Sequence, residues 1–187
     1  TAGANARIVD IAGSSVGGIV GGFSAENYFG SIGPVVRGCT NNASIIVKTG
    51  PGNYRGIGGI VGDMAAYNES SAPVSEVLDC VNNGTIAAGN ETNHPNYIKL
   101  GGIVGRTAGT TGATKDAANL IENCINNAPL TIDGGVEICA GGILGGADRS
   151  TYTLAGCANY GNVTVRTSVE TNRVVSAAGL VGTIGEC

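Results

Sequence analysis

Apolar positions fall into two recurring patterns along this chain. In the first, a glycine-flanked apolar doublet returns five times: Gly18-Ile19-Val20-Gly21, Gly59-Ile60-Val61-Gly62, Gly102-Ile103-Val104-Gly105, Gly142-Ile143-Leu144-Gly145 and Gly179-Leu180-Val181-Gly182. Successive copies lie 41, 43, 40 and 37 residues apart. In the second, apolar residues are set around a C-x-N motif that occurs once in each interval: Cys39-Thr40-Asn41, Cys80-Val81-Asn82, Cys124-Ile125-Asn126 and Cys157-Ala158-Asn159. Three residues before each cysteine stand Val36, Val77, Ile121 and Leu154. Six after it stand Ile45, Ile86, Leu130 and Val163, and eight after it Val47, Ala88, Ile132 and Val165. Apolar residues two apart mark a strand with one buried face. Each repeat is therefore predicted to hold three short strands: one ending at the cysteine, one beyond the asparagine, and one carrying the doublet.

Self-similarity at a fixed period means one supersecondary unit stacked on copies of itself. The fold class this predicts is all-β: a right-handed parallel β-helix, or solenoid, of about four to five rungs with three short strands in each. One domain spans 1–187, with repeats at 17–57, 58–100, 101–140, 141–177 and a partial 178–187. Residues 1–16 and Val174–Cys187 read as incomplete first and last rungs. A stack this short has raw edges, so the chain is expected to be one domain of a longer protein. Thr1 is not an initiator, which fits a leader or upstream region having been removed. Segments 22–35, 63–76, 106–119 and 146–152 vary in length and read as long loops on one edge, with a helical turn or two from Ala113 to Asn123.

The bends after each cysteine are Asn41-Asn42-Ala43, Asn82-Asn83-Gly84, Asn126-Asn127-Ala128 and Asn159-Tyr160-Gly161. Asparagine and glycine adopt positive φ most readily, so a tight turn is expected there. Stacking brings the amides of Asn41, Asn82, Asn126 and Asn159 into one column, where they can bond as a ladder. The same stacking aligns Cys39, Cys80, Cys124 and Cys157. Parallel Cβ vectors favour buried free thiols there over disulfides. Cys139 and Cys187 lie outside the pattern, and either a disulfide or a capping role is open to them. Alternation in the doublets sends one residue of each pair inward and the other outward. The outward stripe then needs a cover, and Met64, Ala65, Ala66 and Tyr67 are the nearest apolar residues to supply it.

Composition narrows function mainly by exclusion. Gly 33 and Pro 5 without a triplet period exclude collagen. A net charge of −4 with no basic stripe argues against nucleic acid, and no apolar stretch approaches the roughly 20 residues of a membrane span. No C-x-x-C pair, H-E-x-x-H or G-x-x-x-x-G-K is present, so neither a metal nor a cofactor is expected. His94 is the single histidine, in a polar stretch with no nucleophile motif beside it. The acidic pairs Glu76 with Asp79 and Asp133 with Glu137 do not recur. A glycosidase pair formed across rungs is nonetheless compatible with the sequence, which keeps a polysaccharide lyase or glycoside hydrolase as the alternative to a non-catalytic module. The binding candidates are Asn53, Tyr54, Asn96 and Tyr97, at equal offsets before the doublet, where rings on adjacent rungs could stack on sugars.

The alternation of G-G-[IL]-[VL]-G with [IV]-x-x-C-x-N resembles the GLUG-type repeat of bacterial secreted and cell-surface proteins, over Gly17 to Gly182. The resemblance implies an extracellular or surface-exposed adhesive or structural module without catalysis. It implies as partners a carbohydrate or host surface protein and other domains of the parent chain, with no direct membrane insertion. The loops here are longer than in the compact form of that repeat.

Overall fold

The computed structural model describes residues 1–3, 6–10, 15–25, 33–48, 55–66, 75–89, 97–109, 118–134, 137–148, 150–166 and 174–184. Among them every regular element is a strand, and the strands form five parallel sheets of four or five strands each. Sheet I holds Val35–Arg37, Ser75–Leu78, Ala118–Glu122 and Thr151–Ala155. Sheet II holds the two-residue strands Thr40–Asn41, Val81–Asn82, Ile125–Asn126 and Ala158–Asn159. Sheet III holds Arg7–Asp10, Ser44–Lys48, Ile86–Gly89, Leu130–Asp133 and Val163–Arg166. Sheet IV holds Ser15–Gly17, Arg55–Gly58, Tyr97–Gly101, Glu137–Gly141 and Val175–Ala178. Sheet V holds Val20–Ala25, Val61–Ala66, Val104–Gly109, Leu144–Asp148 and Val181–Ile184.

The chain visits sheets I to V in order and then begins again, each strand pairing with its counterpart in the neighbouring repeat. This is solenoid architecture: backbone groups are satisfied between repeats rather than within one. Three strands per repeat was too few. Strands of sheets IV and V carry Lys99, Arg106 and several glycines, so they lack the alternation that reveals sheet III. The variable segments are also not loops throughout. Sheet V runs on through Ala66, Gly109 and Asp148, and sheet I begins by Ser75 and Ala118. Ala118–Glu122 is strand, which replaces the helical turn expected there; 113–117 lie outside the described residues.

Two apolar columns run the length of the stack. Sheets III and IV enclose Ile45, Ile57, Ile86, Ile98, Leu100, Leu130, Ile132 and Ile138. Sheets V and I, with the cysteine corner, enclose Ile60, Val61, Met64, Val77, Ile103, Val104, Ile121, Ile143 and Leu144. Both members of each interior doublet are thus buried in the second column, at 0% exposure for Ile60, Val61, Ile103, Val104, Ile143 and Leu144. The expected outward stripe does not form at these copies. The first residue of each doublet sits in the bend before the strand, so the pair straddles a corner and both side chains turn into one core. Met64 joins that same core instead of covering it from outside.

The corner between sheets I and II is left-handed. It is formed by Gly38, Asp79, Asn123 and Gly156, with φ of 64°, 54°, 53° and 60°, each just before the repeat cysteine. The bend after the asparagine uses no positive φ among the described residues. The asparagine amide closes it instead, with Asn82 Oδ1 accepting from Gly84 N at 3.2 Å and Nδ2 donating to Gly84 O at 3.0 Å.

Candidate functional site

The asparagine column is a continuous chain, buried at Asn41, Asn82 and Asn126 and partly buried at Asn159. Asn41 Nδ2 donates to Asn82 Oδ1 at 2.9 Å, Asn82 Nδ2 to Asn126 Oδ1 at 2.8 Å, and Asn126 Nδ2 to Asn159 Oδ1 at 2.7 Å. Each amide also closes its own bend, as in Asn126 Nδ2 to Ala128 O at 2.9 Å. Glycines make room for it. A Cβ on Gly59 would lie 2.4 Å from Asn82 Cγ, and one on Gly102 2.4 Å from Asn126 Cγ. The two repeat motifs are therefore one device: the glycine of each doublet seats the asparagine of the C-x-N motif that follows it. A second, exposed ladder runs beside it, Asn83 Nδ2 to Asn42 Oδ1 and Asn127 Nδ2 to Asn83 Oδ1, both at 2.8 Å, and it stops where Tyr160 replaces the asparagine.

Cys39, Cys80, Cys124 and Cys157 are free thiols in one column. Cys80 and Cys124 are fully buried, but Cys39 and Cys157, at the ends, are only partly so, which corrects the expectation of four buried thiols. The end members lack a covering repeat on one side. Hydrogen bonding from Cys124 draws the Cys80 and Cys157 thiols down to about 7, with burial opposing. Cys124, held between Cys157 and Cys80, is raised well above its ordinary value, and burial raises Cys39. Access and thiolate character together set reactivity. Native alkylation followed by peptide mapping should label Cys157 first, Cys39 slowly, and Cys80 and Cys124 only after denaturation; early labelling of Cys124 would contradict this packing. Cys139, buried in sheet IV, is disulfide-bonded. Cys187, the other cysteine outside the repeat pattern, lies outside the described residues.

Charged residues meet between sheets IV and V. Lys99 is 1% exposed, and its Nζ pairs with Asp148 Oδ1. Arg106 Nε donates to Asp148 Oδ2 at 2.7 Å, and Arg106 Nη1 lies 3.5 Å from Asp63 Oδ2. Ser15 Oγ donates to the same Asp63 oxygen at 2.9 Å. Burial raises the Asp63 carboxyl above its ordinary value, with Arg106 and Ser15 working the other way. Asp63 Oδ1 is buried without a hydrogen-bond partner. Sequence reading missed this network. The signal was there: Asp63 and Arg106 each directly follow the second glycine of a doublet and pair across sheet V. Asp63 and Asp148 are thus brought to one guanidinium, that of Arg106. Such an arrangement neutralises charge and holds sheets IV and V together; it does not aim two free carboxyls at a substrate.

Of the aromatic candidates, Tyr97 opens a strand of sheet IV, is partly buried and pairs with Glu137. Asn53, Tyr54 and Asn96 lie outside the described residues, as does His94. The strand residue after Tyr97, Ile98, pairs with Arg55 of the preceding repeat. Among the described residues, no group of three or more His, Cys, Asp or Glu is placed to hold a metal ion, and no helix is long and apolar enough to cross a membrane. Compared with protein-family models, with curated proteins and with solved structures, the chain matches none of them.

Proposed function

We propose that this chain is a non-catalytic module of a secreted or surface-exposed bacterial protein of the GLUG-repeat kind, with a structural or adhesive role. In this reading the solenoid is a right-handed parallel β-helix of four to five rungs. The observation that carries the proposal is how the scaffold uses its own buried polar groups. The asparagine amides bond to one another from repeat to repeat, and Asp63 and Asp148 are paired with Arg106 and Lys99. Chemistry that could act on a substrate is here engaged in holding repeats together. The Cys139 disulfide supports an oxidising compartment outside the cytosol.

In this reading Tyr54 and Tyr97 are the residues that stack on a carbohydrate or meet a host surface protein, with Asn53 and Asn96 supplying hydrogen bonds. A glycan array read beside a polysaccharide lyase and hydrolase screen tests this. Saturable binding without product release is expected, and the double variant Tyr54→Ala/Tyr97→Ala should weaken it by roughly tenfold or more through loss of two stacking rings. Depolymerisation of any glycan on the array, abolished by Asp63→Asn or Asp148→Asn with the fold intact, would overturn the non-catalytic reading in favour of a carbohydrate-active enzyme.

A further inference from the structure

One bend after a repeat cysteine holds the single Asn-Gly dipeptide of the sequence, Asn83-Gly84. An asparagine before glycine is chemically labile, because no side chain hinders the glycine nitrogen from reaching the asparagine carboxamide carbon. Packing nonetheless requires that glycine. A Cβ on Gly84 would lie 1.9 Å from the Ala43 carbonyl oxygen. Gly161, two repeats on, meets the same obstacle at Ala128 O, also at 1.9 Å, but Tyr160 precedes it and has no amide to lose. Asn42 and Asn127, which stand where Asn83 does, are followed by Ala43 and Ala128. One bend alone therefore joins an exposed asparagine to an unhindered neighbour.

That asparagine is also the middle member of the exposed ladder. Asn83 Nδ2 donates to Asn42 Oδ1, and Asn83 Oδ1 accepts from Asn127 Nδ2, each at 2.8 Å. Gly84 N, the atom that would attack, donates to Asn82 Oδ1 at 3.2 Å. The main chain is tied down as well, with Asn83 N donating to Asn41 O at 2.8 Å. The reaction these bonds restrain needs no reagent but water. Gly84 N would lose its proton and attack Asn83 Cγ. The Cγ–Nδ2 bond would break, and ammonia would leave with that proton as a succinimide ring closes. Water then opens the ring at one carbonyl or the other, giving aspartate or isoaspartate. Attack draws Asn83 Cγ onto the backbone, so it breaks both ladder bonds and the Gly84–Asn82 bond together.

We propose that Asn83-Gly84 is a deamidation site built into the module, and that the exposed asparagine ladder is the guard that keeps it closed while the repeats are stacked. The ladder thereby gains a role that its small contribution to stability does not supply. A repeat that comes away from its neighbours loses both partners of Asn83 at once and begins a one-way conversion. The products no longer fit: an aspartate there has no hydrogen to give Asn42 Oδ1, and an isoaspartate lengthens the main chain where Val81–Asn82 of sheet II passes to Ile86–Gly89 of sheet III. The inference does not depend on the adhesive reading above.

The test follows the proteolytic peptide containing residue 83 by mass, with isoaspartate detected by enzymatic methylation, in the full chain with its disulfide intact and held at mildly alkaline pH. Conversion in the native chain is expected to be at least tenfold slower than in the same chain unfolded in denaturant, as a site closed by the fold requires. Asn127→Ala and Asn42→Ala should each speed the native reaction by roughly two- to tenfold, the factor that one net hydrogen bond is worth. Thr131→Ala, a change on the outer face of sheet III, should leave the parent rate unchanged. Equal rates in the native and unfolded parent would overturn the closed site, and that comparison stands whether or not the variants fold. Native rates unmoved by both ladder variants would overturn the guard. So would an equal acceleration by Thr131→Ala, which would mean general loosening of the repeat.

Discussion

Substituting alanine for Gly102 is expected to lower unfolding free energy by about 3 kcal/mol or more, whereas the same change at Gly179 should stay within about 0.5 kcal/mol. Chemical denaturation of the two variants beside the parent chain measures both. At Gly102 the added carbon falls 2.1 Å from the Gly142 carbonyl oxygen and 2.4 Å from Asn126 Cγ. Neither neighbour can yield: one is backbone in the repeat-to-repeat hydrogen-bond array, and the other is held by the amide ladder on both sides. Overpacking usually costs about 1–3 kcal/mol, and backbone obstruction belongs at or beyond the top of that range. At Gly179 the same carbon enters open space. Both substitutions stiffen the unfolded chain equally, worth about 0.4–1 kcal/mol in favour of folding, so their difference isolates the close approach. Equal effects at the two sites would mean that the glycines are kept for backbone freedom and not for contact.

Asn126→Ala should be nearly as damaging, at about 3–5 kcal/mol from the orphaned partners. Its amide makes four hydrogen bonds: to Ala128 O and Asn159 Oδ1 as donor, and from Asn82 Nδ2 and Ala128 N as acceptor. Truncation strands the Ala128 backbone groups and one Asn82 hydrogen inside the protein, at roughly 1–3 kcal/mol for each group left unsatisfied. The exposed ladder supplies the control. Asn127→Ala removes a 2.8 Å bond of the same type to Asn83, but water replaces it, and the change should stay below about 1 kcal/mol. Because Asn82 and Asn126 share a bond, the double variant Asn82→Ala/Asn126→Ala should cost less than the sum of the singles by about 0.5–3 kcal/mol. Strict additivity in that cycle would count against a coupled ladder.

The two motifs differ in how openly they announced their roles. The asparagines recur at one offset from a cysteine, and stacking alone turns a common offset into a column. Sheet III was legible for a similar reason: it packs side chains on one face only, so Ile45, Val47 and their counterparts are buried at alternate positions, with the residues between them more exposed. Sheets IV and V hid because they face each other through backbone. A Cβ on Gly105 would fall 2.2 Å from Ile57 N, and one on Gly145 2.5 Å from Leu100 N. A face packed through glycine leaves no hydrophobic pattern to read. The charged network was obscured by a different circumstance. It is assembled from single residues of several repeats, so no one repeat contains a motif. Only the offset shared by Asp63 and Arg106 hints at it. The doublets misled because periodicity assumes a continuous strand, and Ile60, Ile103 and Ile143 stand at a corner instead.

The ordering of the strands also determines how the module answers a mechanical load. Every strand lies across the stack, and its hydrogen bonds point along it, from one repeat to the next. Tension drawn along the axis therefore meets the terminal repeat's bonds first and peels them one strand at a time, so resistance at any moment is that of a single layer. Each repeat so released frees about 40 residues, a contour of roughly 140 Å at full extension, from a layer about 4.8 Å thick. Yielding in this way, each released repeat lengthens by more than an order of magnitude over the layer it came from while the repeats behind it stay folded. The same stack gripped from its sides loads many repeats together and is stiff.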